Sequence, residues 1–385
     1  MNSILQGVRV LELGQVLAGP FAGAIFADLG AEVIKIERLN GGDDARHMGP
    51  AFREGDAHIF QVFNRGKKSL TLDLKSESGL AVLKRLAGEV DILIHNLRPG
   101  VPQSLGIDGP TLCKEYPRLI YCEISAYGGV GPMGMHPGYE PLIQAFSGLS
   151  AINGGPDDPP MRAGSSLCDQ GSGMWAVIGA LSLLQRRHVT GQGGVVSTSL
   201  LEAAMVWNGQ KTDALNNEGR LPERHRSGHP GFVPYEAFQA ADGPLLICCG
   251  NDRLFSKLAE ELGRLDWLAD ERFKTNRDRL QNKSALLEQL SDHLRDKTRA
   301  YWLEKFEAAG VPCAPIHSLP EAIAHPQVQA LGIIQTVPGE NFKLTGLPLV
   351  IDGHRPQLKG PAPKLGQHNS ALLSTHGFER PQSSQ

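Results

Sequence analysis

Strong net charge, long apolar stretches and an export signal are all missing from this sequence of 385 residues. Lys and Arg number 38 against 41 Asp and Glu, which gives a formal net charge of −3. Such a balance provides no broad field for a polyanion, so we expect no nucleic-acid partner and no membrane partner. The longest apolar run, Trp175 to Leu184, is well short of the roughly 20 residues that a membrane span needs. These absences favour a cytoplasmic protein.

Motifs for metals and for nucleotide cofactors are missing too. The six cysteines form no C-x-x-C pair, and none has the close Cys/His spacing of a structural zinc site. The first predicted strand-to-helix turn, Gly14 to Gly19, reads GQVLAG and lacks the G-x-G-x-x-G spacing that binds a dinucleotide pyrophosphate. We therefore expect reduced thiols, no metal and no permanently bound cofactor.

Glycine and proline, by contrast, are plentiful. The chain has 45 Gly and 26 Pro, together well above the roughly 46 residues expected from average usage. They are densest over residues 126–173, where 17 of 48 residues are Gly or Pro. Long segments of this kind in compact domains are usually either functional or disordered.

Short apolar strands alternate with helices in the first third of the sequence. Val8–Leu13, Glu32–Glu37, Asp91–His95 and Leu119–Ser125 are typical of strands, and Ser76–Gly88 of a helix. The alternation predicts an α/β fold with a mostly parallel sheet, whose ligands bind beyond the carboxyl ends of the strands. Since the chain exceeds the roughly 250–300 residues of a single core, we also expect a second, smaller α+β domain.

Asp169 is the residue of greatest chemical interest. It lies in the sequence RAGSSLCDQGSG, just before an apolar helix predicted over Gly173–Arg187. One interpretation is that Asp169 merely caps this helix, and the spacing alone favours that role. The other is that it is a catalytic carboxylate.

Several motifs, in order along the chain, resemble one enzyme family. They are LQGVRVLELGQVLAGPFAGAIFADLGAEVIKIE, NRGKKSLTLDLK, HNLRPG, GYEPLIQAFSG, RAGSSLCDQGSG and GNDRLFSKL. Together they are similar to the class III coenzyme A transferases, the relatives of formyl-CoA transferase and of the carnitine CoA-transferases. The resemblance covers the chain from about Leu5 to about Phe378.

The resemblance implies an architecture and a domain division. We expect an interlocked homodimer of two ring-shaped chains, each with a Rossmann-like large domain and a small domain. The predicted divisions are the first part of the large CoA-binding domain at 1–200, a linker at 201–230, the small domain at 231–320, and a second linker with the return to the large domain at 321–385.

The resemblance also makes Asp169 the catalytic nucleophile. Such an enzyme conserves the energy of a thioester by becoming a temporary acid partner itself. Asp169 would form a mixed anhydride with the donor acyl group and then an aspartyl-CoA thioester. Acyl-CoA and a carboxylic acid are thus the expected partners, with CoA as a substrate rather than a resident cofactor.

The resemblance further assigns residues around this carboxylate. Val16, Leu17 and Ala18 would border the thioester, and Gly138, Tyr139 and Glu140 would lie near the reacting carbonyl. From the sequence alone, Arg38 and Lys75 are equally well explained as solvated charges, and Tyr139 as a packed aromatic side chain. The expected CoA-binding residues are Val16, Ala18, Arg38, Leu72, Lys75, Asn96, Leu97, Arg98 and Tyr139, and the expected substrate contacts are Leu17, Gly138, Glu140 and Arg46.

At two positions this sequence departs from the family pattern, and each departure argues against one candidate activity. Formyl-CoA transferases that handle oxalate carry Gln at the position of Leu17, which argues against oxalate here. The related α-methylacyl-CoA racemases carry a His-Asp pair where this chain has Tyr139 and Glu140, so one of the two groups that racemisation needs is missing. Arg46 is a candidate for pairing with a substrate carboxylate, or else an exposed loop residue.

We therefore predict an acyl-CoA:carboxylate CoA-transferase. A succinyl-CoA-like donor and a small carboxylic or dicarboxylic acceptor are expected. An α-methylacyl-CoA racemase and a non-catalytic CoA-binding protein of the same fold remain the alternatives.

Overall fold

The computed structural model describes residues 4–375, and the chain divides into two units. The first is drawn from Met1–Ser150, Arg162–Arg220 and Gln329–Gln385, and the second from Ala151–Met161 and Leu221–Val328. The boundaries given in the sequence analysis stay predictions.

A parallel sheet of six strands organises the first unit. The strands up to residue 199 are β1 (Arg9–Leu13), β2 (Glu32–Glu37), β3 (Phe52–Arg53), β4 (Asp56–Ala57), β5 (Lys68–Thr71), β6 (Ile92–His95), β7 (Ile120–Ser125) and β8 (Gly194–Ser199). The sheet has the order β5-β2-β1-β6-β7-β8, and all its pairs are parallel. Counted along the chain this is 3-2-1-4-5-6, the order of doubly wound Rossmann sheets. The predicted α/β class with a parallel sheet is confirmed, and β3 and β4 form a separate antiparallel pair.

Helices connect these strands. They are α1 (Ala18–Asp28), α2 (His58–Phe63), α3 (Glu77–Glu89), α4 (Val101–Leu105), α5 (Gly109–Glu115), α6 (Glu140–Phe146), α7 (Leu149–Ile152), α8 (Leu167–Thr190), α9 (Leu200–Trp207) and α10 (Gly209–Glu218), with a 3₁₀ turn at Asp44–His47. In the core, Leu11 and Leu93 from the sheet and Leu83 and Leu86 from α3 are fully buried. Strands covered on both faces read as nearly continuous apolar runs, which is why the sequence revealed them.

The second unit is built on a small antiparallel sheet. Its strands β9 (Tyr235–Ala240), β10 (Gly243–Cys248) and β11 (Cys313–Pro315) have the order β11-β10-β9. Its core is aromatic, with Phe255, Trp267 and Phe306 fully buried. The helices that follow β10 are α11 (Asp252–Glu261), α12 (Asp266–Ala269), α13 (Asn276–Gln281), α14 (Lys283–Leu294), α15 (Arg299–Ala309) and α16 (Leu319–Ala324).

The remaining elements come after residue 325. They are α17 (Pro326–Ala330), β12 (Ile334–Thr336), β13 (Lys343–Thr345) and α18 (Asn369–Thr375). Across residues 4–375, every helix is too short or too polar to cross a membrane.

Leu11 tests the packing of the parallel sheet. Its side chain on β1 is 0% exposed, so Leu11→Ala should leave a cavity and lower the free energy of unfolding by roughly 2–5 kcal/mol. The matched control is Val189→Ala, since Val189 on α8 of the same unit is 85% exposed. Urea denaturation of both variants checks this. Equal stability of the two variants would contradict the described packing.

Candidate active site

The sheet order reverses between β1 and β6, and the loops that follow these strands are joined there. The side chain of Asn96, directly after β6, bonds the backbone of Gln15, two residues after the end of β1. Its Oδ1 accepts from the Gln15 N–H at 2.7 Å, and its Nδ2 donates to the Gln15 carbonyl at 2.8 Å. Asn96 therefore fixes the two loops that border the crevice expected at such a reversal.

Asp169 lies at the end of α8 that packs on the start of α1. One turn further along α8, a Cβ on Gly173 would be only 2.8 Å from the carbonyl oxygen of Ala18. This close approach requires Gly at 173 and brings the helices together. Because residues four apart share a helix face, Asp169 lies on the face that meets the beginning of α1.

Glu140 caps the helix that carries Asp169. Its side chain, 6% exposed, accepts hydrogen bonds from the backbone N–H of Cys168 at 3.1 Å and of Asp169 at 2.7 Å. Ser166, the residue before the helix, makes no capping bond with its side chain. The helix begins at Leu167, so the prediction of a start near Gly173 is wrong. Asp169 sits inside the first turn, and the capping carboxylate is that of Glu140.

Gln144 holds Glu140 in place and was missed by the sequence analysis. Its Nε2 donates to Glu140 Oε1 at 2.7 Å, and its Oε1 accepts from the Ala163 N–H at 2.8 Å. The two side chains are four residues apart on α6, which is the one sequence signal for this pair. Gln144 thus links the cap to the loop that leads into α8.

The environment of Asp169 raises its pKa. Burial is the larger cause and the nearby negative charge of Glu140 the second, and together they bring the pKa of the carboxyl to about 7. The N-terminal end of α8 acts in the opposite direction because its partial positive charge favours a carboxylate. Asp169 therefore changes its charge near neutral pH, and carboxyl groups with pKa values perturbed in this way are concentrated at functional sites.

All the expected CoA-binding residues except Tyr139 lie after the carboxyl ends of four neighbouring strands. Leu72 follows β5, Arg38 follows β2, Val16 follows β1, and Asn96 follows β6. Adjacent parallel strands end at the same edge of a sheet, so these positions form one continuous row. The side chains of Arg38, Lys75 and Arg98 are exposed, that of Leu72 is buried, and those of Asn96 and Leu97 are half-buried.

The sequence left a purely structural explanation open for two residues, a solvated charge for Arg38 and a packed aromatic side chain for Tyr139. The guanidinium of Arg38 donates to the Gly42 carbonyl at 2.9 Å and to the Asp44 carboxylate, so it is oriented although exposed. Tyr139, directly before α6, is 63% exposed, so the interpretation as a packed aromatic side chain is wrong. Gly138 lies where a Cβ would be 2.8 Å from that of Ala126.

Arg46 is buried, and its donors are used within the chain. Nε and Nη2 bond the two oxygens of Glu37 at 2.8 Å each, and Nη1 bonds Asp56 at 2.8 Å. Nη2 also donates to the carbonyl of Pro363 at 3.1 Å. The guanidinium is thereby neutralised by two carboxylates, so the prediction that Arg46 contacts substrate is not supported. The alternative of an exposed loop residue is wrong, because Arg46 is 2% exposed.

Comparisons with known proteins agree on one family. The profile of CoA-transferase family III matches residues 5–369. Acetyl-CoA:oxalate CoA-transferase of Acetobacter aceti is 37% identical over 95% of this chain and 94% of that protein. Succinate–glutarate CoA-transferase of Agrobacterium fabrum is 35% identical over 96% of this chain and 95% of that protein. The crystal structure of a CAIB/BAIF family protein from Brucella suis superimposes with a TM-score of 0.90 at 34% identity, covering 97% and 100% of the two chains.

The raised pKa of Asp169 predicts a pH-dependent cost in stability. The folded pKa of about 7 lies above the ordinary value of 3.8, so the folded protein binds an extra proton between these values, and this contribution to stability is lost as pH rises. Asp169→Asn cannot titrate. The free energy of unfolding of Asp169→Asn, relative to that of wild type, should therefore rise between about pH 4 and about pH 7 and stay constant above. Denaturant titrations across this range check this, and a difference independent of pH would contradict the assigned environment.

Proposed function

Because this chain belongs to CoA-transferase family III and moves CoA from an acyl-CoA donor to a carboxylic acid, we propose that the transfer passes through Asp169. The observation that carries this is the position of Asp169, in the first turn of α8 and on the helix face that meets the start of α1 at Gly173. The crevice at the reversal of strand order opens at the same place.

The proposed reaction has four substitutions at carbonyl carbons. The ionised Asp169 attacks the acyl-CoA carbonyl, which forms a mixed anhydride and releases CoA thiolate. The thiolate attacks the aspartyl carbonyl, which releases the donor acid and leaves an aspartyl-CoA thioester. The acceptor carboxylate attacks this thioester and releases the thiolate again, and the thiolate then takes the acceptor acyl group and frees Asp169. No water or proton is consumed.

The pKa of Asp169 suits both halves of this cycle. A carboxylate with a pKa of about 7 is a better nucleophile than an ordinary one, yet it is largely ionised in slightly alkaline solution. Glu140 does not compete as a nucleophile, since both its oxygens accept hydrogen bonds from the α8 backbone. We assign Glu140 to holding the first turn of α8, and thereby the Asp169 carboxylate, in place.

The row of strand ends fits the rest of the CoA molecule. Arg38 and Arg98 are the exposed guanidinium groups beside it, and a guanidinium both binds phosphate with two hydrogen bonds and stacks on a purine. We propose that they meet the phosphates or adenine, with Leu72 and Leu97 giving apolar contacts and Lys75 a further charge. The thioester end then lies at Val16 to Ala18, and Gly138 and Tyr139 lie near the reacting carbonyl.

The acids exchanged are proposed to be succinate-like. Relatives of this chain carry names with succinyl-CoA and glutarate as substrates, and a succinyl-CoA-like donor with a small mono- or dicarboxylic acceptor fits them. Leu17 is apolar and 6% exposed, so it offers no side-chain hydrogen bond to a very short dicarboxylate. This disfavours oxalate, although one relative is named for it.

Self-association is part of the same proposal. In the first unit, large apolar side chains of α6, α8 and α9 face outward, among them Phe146, Ile178, Val206 and Trp207, which are 48–57% exposed. These three helices pack on one another, and large apolar side chains exposed on neighbouring helices are typical of a surface that contacts another protein. The interlocked homodimer expected from the family would cover it.

Asp169→Ala tests the covalent mechanism. Without a carboxylate to accept the acyl group, exchange of CoA between succinate and an acceptor should fall to background, while binding of free CoA persists. Asp213→Ala removes an exposed carboxylate on α10 and is the matched control. Retained exchange in Asp169→Ala would contradict the mechanism. Proton exchange at the α-carbon of an acyl-CoA in deuterated water, without acid exchange, would favour the racemase instead.

A panel of acceptor acids tests the substrate proposal. With succinyl-CoA or acetyl-CoA as donor, we expect dicarboxylic acids of succinate to glutarate length to give the highest kcat/KM, because the apolar Leu17 leaves oxalate without a partner for its second carboxylate. Chromatographic detection of each product acyl-CoA measures this. Oxalate as the best acceptor would overturn the argument from Leu17, and wild-type protein that binds CoA without any transfer would be a non-catalytic binding protein.

A further inference from the structure

A network of buried charges lies directly beneath the turn between β1 and α1. Lys35 on β2 is completely buried, and its Nζ lies 2.9 Å from Glu12 Oε1 and 2.8 Å from Asp43 Oδ2. The same Nζ donates to the carbonyl of Gly14 at 2.7 Å. On the other side, Glu12 Oε2 is 2.6 Å from Nζ of the buried Lys67. Burying so many charged side chains costs desolvation free energy, so the network is better explained by the backbone that its members hold in place than by a gain in stability.

The network holds the backbone of the turn residue by residue. Lys35 Nζ donates a hydrogen bond to the carbonyl of Gly14. The side-chain amide of Asn96 accepts from the N–H of Gln15 and donates to its carbonyl. Asp43 Oδ1 accepts the N–H of Val16 at 2.9 Å. These bonds come from side chains of other segments, so the path of the turn is imposed from outside.

Val16 is the residue that needs this constraint. Its φ is 63°, in the left-handed region that a β-branched residue rarely adopts because of clashes at Cβ. Such a conformation persists only where its surroundings over-determine it, and it is found mainly at functional sites. Leu17 follows Val16 as the N-cap residue, and α1 begins at Ala18. Within the described part of the chain, the N–H groups of Leu17, Ala18 and Gly19 donate no hydrogen bond.

We propose that Asp43, held by Lys35, is a positioning residue for the thioester. Its hydrogen bond forces Val16 into the left-handed conformation. This turns the free N–H groups at the start of α1 toward the N-terminal end of α8, where Asp169 lies. This inference rests on the proposed function, because it gives those N–H groups a role only if an acyl-CoA carbonyl reacts with Asp169. There they would stabilise the negative oxygen of each tetrahedral intermediate.

The charges around Asp43 keep its carboxyl group ionised, as the positioning role requires. Burial raises the pKa of the Asp43 carboxyl, but the charge and hydrogen bond of Lys35 and the N–H groups of Val16 and Ala45 lower it by more. The net pKa lies below its ordinary value. Asp43 therefore stays ionised and accepts the Val16 N–H throughout the range in which Asp169 titrates.

The first test compares two buried carboxylates of the same unit. Asp43→Asn breaks the pairing with Lys35, and Asp28→Asn breaks the pairing of Asp28, also buried, with Arg65 at 3.1 Å. We expect Asp43→Asn to lower kcat of CoA transfer by roughly 10- to 100-fold, as misplacement of a reacting group does, with unchanged affinity for free CoA. Asp28→Asn should lose stability yet keep its kcat per folded molecule.

Asp43→Glu covers the case in which loss of charge unfolds the protein. It keeps a negative charge beside Lys35 but moves the carboxylate away from the Val16 N–H, so kcat should fall as in Asp43→Asn. A double-mutant cycle with Val16→Gly then isolates the backbone effect. Since Gly adopts φ near 63° without strain, the loss of kcat caused by changing Asp43 should shrink in the Val16→Gly background.

The outcomes separate this inference from the proposed function. Equal effects of Asp43→Asn and Asp28→Asn on kcat, or a fully additive cycle, would overturn the positioning role while the function stands. A wild-type protein that transfers no CoA would overturn the function, and this inference with it. A specific and non-additive loss of kcat supports both.

Discussion

The reversal of strand order between β1 and β6 is the constraint on which the site depends. At this point the loops after neighbouring strands leave toward opposite faces of the sheet, and a crevice opens between them. Asn96 bridges the crevice by bonding the backbone after β1. The residues we assign to CoA follow β5, β2, β1 and β6, which are consecutive in the sheet. A linear ligand can therefore lie along this edge with its reactive end at the start of α1.

The two carboxylates at the start of α8, those of Glu140 and Asp169, differ in their properties because their surroundings differ. Both carboxylate oxygens of Glu140 accept backbone N–H groups of α8 and one also accepts from Gln144, so Glu140 acts as a helix cap. Asp169 has its pKa raised to about 7 by burial and by Glu140. Glu140 thus fixes the first turn of α8 that carries Asp169 and also raises the pKa of the Asp169 carboxyl. Below the neighbouring turn, Asp43 and Lys35 are a second buried pair that holds backbone in place.

The sequence predicts the sheet well and the environment of the site less well. The β2 strand spans Glu32–Glu37 in both, because the alternation of charged and apolar residues in EVIKIE is visible locally. The start of α8 was misplaced because the segment from Ser165 to Gly173 is rich in Gly and Ser. Its cap comes from Glu140, which lies 29 residues before Asp169. Arg46 was misread for a similar reason: one of its partners, Pro363, is 317 residues away. Partners at such separations leave no local pattern in a single sequence.

Chemical trapping of the enzyme-bound acyl group tests the central claim most directly. The protein is incubated with succinyl-CoA and then with hydroxylamine or borohydride, and its peptides are analysed by mass spectrometry. Our account predicts a mass change confined to the peptide that contains Asp169, a hydroxamate with the first reagent and an alcohol with the second. The change should be absent when acyl-CoA is omitted. Modification of another carboxylate, with Asp169 left unchanged, would contradict the account.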